Sequence, residues 1–183
     1  MPLLFAHLMQ TGFGGFYDGV AHLFLTPSDL LLVLGLALLA GQQGPQGGRL
    51  LLTLLPLSWW IGLAVGQHWG LDFTLALLTT MLFSSVGVLV ALSLRLSPLL
   101  LAFTVAGSGL LFGLINGFTM PSAASGLPLD VLGVVSGVAV LSVLISAQVA
   151  ATRSNGFCIA VRVAGSWIAA AGFLSVGMLF KAA

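Results

Sequence analysis

The chain has 183 residues, of which 59% are hydrophobic and 5% charged, and its formal net charge is +1. Soluble domains carry about 25% charged residues, so the composition excludes a soluble domain and describes an integral membrane protein embedded in a lipid bilayer. Near-neutrality leaves no polybasic surface and excludes nucleic acid as a partner.

From the N-terminus, no secretory signal is expected, because Met1 and Pro2 are not followed by a positively charged start. The first 28 residues combine glycines with a polar stripe. At 100° per residue His7, Thr11, Asp18 and His22 share one arc, while Met9, Phe13, Phe16, Val20 and Phe24 lie opposite. Two readings stay open. Imidazole and carboxylate on one face suit a divalent transition metal such as nickel, cobalt, copper or zinc. The same pattern also suits an interfacial or re-entrant helix whose polar side merely meets water or headgroups.

Thr26-Pro27-Ser28-Asp29 reads as a helix start, with Thr26 as N-cap, Pro27 at the first helical position and Asp29 closing a capping box. The following apolar run reaches Ala40 and gives way to the Gly/Pro/Gln loop ending at Arg49. Further apolar runs cover Leu50–Gly66 (interrupted by Pro56), Asp72–Leu94, Pro98–Phe118, Leu129–Thr152 and Phe157–Phe180. A span needs roughly 20 residues. The expected fold is therefore an all-α polytopic membrane bundle of about six transmembrane helices in one membrane domain, 1–183, plus the N-terminal amphipathic or re-entrant segment 1–28.

Charge placement divides the bundle into three helical hairpins, 29–66, 72–118 and 129–180. Asp29, Asp72 and Asp130 open the first helix of each, and Arg49, Arg95 and Arg153 lie in the connecting loops. This placement suits helix dipoles, and it also orients the chain. Arginine loops face the cytoplasm, so both termini face outward across the inner or plasma membrane. Glycines spaced by four, at 109, 113 and 117, at 133 and 137, and at 165 with Ala169, mark helix–helix contacts, within the chain, with another copy or with a membrane complex.

Four polar residues within or beside the spans are candidates for a path or second site. Asn116 either lies on a ligand path or bridges two helices. Arg162 is either functional or close enough to the inner boundary to snorkel. His68 and Asp72 flank one outer loop, as a second site or as a solvated turn and a cap. No GxSxG, HExxH or phosphate loop occurs, so no catalytic residue is expected and the protein is not read as an enzyme. Cys158 is alone and cannot form an internal disulfide.

Three stretches, GFYDGVAHLFLTPSDLLLVLGLALLAG (15–41), FGLINGF (112–118) and RVAGSWIAAAGFL (162–174), resemble the HupE/UreJ family of small polytopic membrane proteins. The likeness is closest to the branch whose first helix begins Pro-x-Asp-Leu-Leu. The family is associated with hydrogenase and urease gene clusters and with nickel or cobalt permeation. The resemblance thus implies a nickel/cobalt permease or metal-binding accessory protein, with His22 and Asp29 at the family's first-helix motif. Two positions depart from the pattern: Leu30 stands where many members carry a second His, and Asn116 where the fourth-helix Gly-x-x-His-Gly has its His. On the first reading Asp18 and His22 capture the ion and His7 and Asp29 assist. Ligation needs neutral imidazole, so capture weakens on acidification. The alternative is a non-catalytic structural subunit of a larger respiratory or photosynthetic membrane complex that has lost part of the metal site.

Overall fold

A computed structural model describes residues 12–69, 75–119, 129–152 and 154–182. Those residues form seven α-helices and no strand: α1 (Gly15–Leu25), α2 (Pro27–Gln42), α3 (Pro45–Trp69), α4 (Ala76–Ala91), α5 (Pro98–Thr119), α6 (Leu129–Ala151) and α7 (Asn155–Ala182). The all-α membrane bundle expected from the apolar runs is what the chain forms.

Among the described residues the span count is lower than the six expected. Four helices, α3, α5, α6 and α7, are long and apolar enough to cross a bilayer, and a fifth span results if α1 and α2 count as one broken helix. The shortfall lies in α4, whose 16 residues occupy only part of the apolar run 72–94. Its C-terminal end is set by Ser93 at φ 51, a left-handed backbone that ends the helical path. The segment before α2 is a helix of its own, bent 78° from α2. Pro27 explains the break: its ring and missing N–H permit it at the first turn of a new helix and oppose continuation of the old one.

Helices neighbouring in space are mostly not neighbours in sequence. Glycines decide where the backbones touch. Along α3 and α5, which run parallel, Gly109 abuts Leu55 and Ser58, Gly113 abuts Trp59, and Gly117 abuts Leu63 and Gly66. Gly62 and Gly66 return the contact against Leu110 and Leu114. Gly87 on α4 meets Gly165 and Ala169 on α7 in antiparallel fashion. Gly19 on α1 lies on Asp130, and Gly133 on α6 lies on Phe16. Within lipid no hydrophobic force joins helices, and such close approach lets van der Waals packing do so.

The centre is filled by Leu32, Leu36, Leu51, Leu55, Trp59 and Phe112, all buried. Large apolar side chains also stand on the outer surface, with Phe103, Trp167 and Leu174 largely exposed. That arrangement suits hydrocarbon rather than water. One end of the bundle gathers Gln42, Gln43, Arg95, Cys158 and Arg162 around a cleft of about 460 Å³. Asp29, at the start of α2, and Asp130, at the start of α6, belong to the opposite end.

Candidate functional site at the broken helix

The break between α1 and α2 puts two polar side chains beside each other. His22 stands in the last turn of α1 and Asp29 in the first turn of α2. Each suits its place electrostatically, since a helix C-terminus favours a basic group and an N-terminus an acidic one. Thr26 between them has extended backbone, and its N–H bonds the His22 carbonyl at 3.0 Å. The third component comes from α5, where Asn116 projects into the same site.

These three side chains form one hydrogen-bonded chain. Asn116 Nδ2 donates to Asp29 Oδ2 at 2.8 Å and to the Phe112 carbonyl at 2.9 Å, and Asn116 Oδ1 lies 2.6 Å from His22 Nε2. The backbone carbonyl of Phe112 only accepts, so the amide nitrogen must face it. The amide oxygen therefore faces the histidine, and His22 Nε2 carries the proton and donates it. One amide thus fixes the tautomer and ring orientation of an imidazole while holding a carboxylate. His22, Asp29 and Asn116 are 7%, 4% and 4% exposed, so the chain is sealed from bulk water. Ser28 Oγ adds a long bond of 3.4 Å to the other Asp29 oxygen.

The capping box expected at Thr26 and Asp29 does not form. Thr26 occupies the N-cap position but makes no side-chain cap bond. The Asp29 carboxylate is directed at Asn116 instead, a buried donor from another helix that outweighs a local one.

The remaining sequence candidates fall in several places. Asp18 lies one turn before His22 on α1 and is half-buried. On α1 Phe16 and Phe24 are exposed, as is Phe13 just before the helix. His7 and Asp72 lie outside the described residues. His68 is exposed and its Nδ1 pairs with the Ala64 carbonyl at 2.9 Å, one turn earlier on its own helix. Arg162 belongs to the far end, where its Nε donates to the Ala91 carbonyl at 3.0 Å and caps α4. Sequence reasoning did not register that Phe112, one turn before Asn116, orients the amide through its carbonyl. Its only sequence signal was the i, i+4 spacing.

Among the described residues, no three His, Cys, Asp or Glu side chains converge as a metal site. Among the described residues the site brings together one imidazole, one carboxylate and one amide. Such a set can hold a cation by nitrogen and oxygen donors, or can tie three helices together without one.

A family model described as HupE / UreJ protein matches residues 1–175 of the chain. No curated protein and no solved structure matches it.

Proposed function

The chain belongs to the HupE/UreJ family, and from that premise we propose that it carries nickel or cobalt ions across the membrane, with the helix break as their point of entry. The observation that carries this reading is the buried meeting of imidazole, amide and carboxylate where an apolar helix is interrupted. Imidazole nitrogen suits nickel and cobalt, and carboxylate and amide oxygens can complete a loose shell. Discontinuous membrane helices supply ion sites in transporters because the end of a half-helix carries a partial charge. Here the C-terminal end of α1 is negative, and Pro27 has no N–H with which to satisfy the Leu23 carbonyl.

Among the described residues one imidazole, one carboxylate and one amide meet here, a looser set than a closed structural metal site. Permeation favours that, since the ion must leave as well as enter. Arginines mark the cytoplasmic side, which puts His22, Asn116 and Asp29 toward the outside and sends the ion toward the arginine end. The test is nickel and cobalt accumulation by cells expressing the protein and its His22→Ala variant at equal membrane abundance. Accumulation above background that His22→Ala abolishes supports the reading; equal accumulation by both ends it.

One observation favours a second reading. The Asn116 amide already engages both its neighbours, as a structural bridge would, and the protein would then serve as a non-catalytic subunit of a larger membrane complex. Purification in mild detergent separates the two: consistent recovery within a larger assembly, with no metal-dependent uptake, selects the subunit.

A further inference from the structure

Buried hydroxyls in this bundle follow one habit. Ser58, Thr79, Thr80, Ser84 and Ser146 each donate to a carbonyl three or four residues earlier in their own helix. Ser108 on α5 and Ser142 on α6 break it. They are 2% and 0% exposed, and neither hydroxyl oxygen has a hydrogen-bond partner among the described residues. The same holds for the indole Nε1 of Trp59 on α3, a residue with no exposed surface. Polar atoms without partners are costly in a hydrocarbon-embedded core, and such atoms call for an explanation.

Their heights in the bundle follow from the glycine contacts. Trp59 lies against Gly113, and its ring packs on Phe112 with centroids 5.9 Å apart. Phe112 is one turn below Asn116, whose amide it orients. One turn further toward the arginine end, Gly109, the neighbour of Ser108, lies against Leu55 and Ser58. On the other side of α3, Gly48 lies against Ser146, one turn beyond Ser142 on α6. Ser146 then lines a groove of about 360 Å³ with Gly48 and Arg49 at the arginine end. The unpartnered atoms therefore step down around α3 from the broken-helix site to the opposite end, with the Phe112–Trp59 ring pair directly beneath the site.

We propose that Trp59, Ser108 and Ser142 line a hydrated passage around α3 that leads from the His22–Asn116–Asp29 site to the arginine end, shut in this conformation by the Phe112–Trp59 pair. Water is the ligand these groups fit, because a hydroxyl both donates and accepts while an indole donates only. A divalent ion on this route keeps part of its water shell and exchanges the rest for serine oxygens. The route rests on the uptake reading for its cargo, but its hydration can be measured without metal.

The test uses thiol accessibility in membranes holding the full chain. Cys158, the only native cysteine, is first replaced by Ser. Ser108→Cys, Ser142→Cys and, as a lipid-facing control, Phe103→Cys are then treated with 2-aminoethyl methanethiosulfonate, and the mass shift of the protein is followed. Only the thiolate reacts, and it forms in water rather than in hydrocarbon, so Ser108→Cys and Ser142→Cys should label at least about tenfold faster than Phe103→Cys. Adding Phe112→Ala should raise the rate at position 108 further. Rates no faster than the Phe103→Cys control, with and without Phe112→Ala, would overturn the passage. Nickel uptake by His22→Ala is scored separately. Rapid labelling with uptake unaffected by His22→Ala keeps the passage and ends the uptake reading, and the reverse pattern ends the passage alone.

Discussion

At the scale of single residues, Asn116 is the piece on which the site turns. Its amide has one acceptor oxygen and one donor nitrogen, and both are spent on groups from other helices, 94 and 87 residues away in sequence. Asn116→Leu keeps the volume and removes both bonds at once, so the His22 N–H and an Asp29 oxygen lose a buried partner. Each orphaned partner costs about 1–3 kcal/mol, more if it is charged. The variant should unfold at clearly lower temperature in detergent than the parent, as followed by tryptophan fluorescence. A midpoint within error of the parent would show that the chain contributes no stability. The sequence made His22 and Asp29 visible as polar residues at either side of a helix start. It left Asn116 open between path and bridge because helix periodicity says which face a residue occupies but not which helix that face meets. The same blindness explains the missing capping box: Thr26 and Asp29 have the right spacing, yet a donor on α5 takes the carboxylate.

At the scale of elements, glycine spacing carries more information than hydrophobicity does. In membrane helices an apolar face points to lipid as readily as to a neighbour, so the apolar runs located α3, α5, α6 and α7 without saying how they pair. The stripes at 109, 113 and 117 and at 133 and 137 fall where α5 meets α3 and α6 meets α1. The break between α1 and α2 was partly legible through Pro27, although its 78° bend depends on what each half packs against. Glycines at close contacts should behave unlike those facing open space. A methyl group at Gly113 would run into the Trp59 carbonyl, whereas at Gly107, exposed on the same helix, it would meet nothing within 4 Å. Overpacking costs about 1–3 kcal/mol, while Ala in place of an open helical Gly gains up to about 1 kcal/mol. Gly113→Ala should therefore unfold at lower denaturant in a detergent titration and Gly107→Ala at equal or higher. Equal effects at both positions would mean that α3 and α5 are not held by that contact.

For the molecule as a whole, charge sets direction. Arg49, Arg95 and Arg162 lie toward one end of the bundle, and Asp29 and Asp130 toward the other. Because α7 leaves the arginine end at Asn155 and closes at Ala182, Lys181 falls at the opposite end as a dissenting cation. The bias of Lys and Arg toward the cytoplasm is counted over short loops near helix ends, and three arginines outweigh one lysine. A fluorescent protein fused after Lys181 should then be dark and an alkaline phosphatase fused there active, with the opposite pair of results for fusions after Gln46, at the start of α3. The short helix α4 makes this informative. At about 1.5 Å per residue its 16 residues reach about 24 Å, less than the roughly 30 Å hydrocarbon thickness. It must draw on flanking residues or thin the bilayer to cross. If α4 failed to cross, the chain would make one crossing fewer between Gln46 and Lys181, and both fusions would report the same side. Opposite reports therefore test two things together: that α4 completes its crossing, and that the broken-helix site lies across the membrane from the arginines. That separation is what a carrier needs if it gathers an ion by imidazole and carboxylate on one side and releases it on the other.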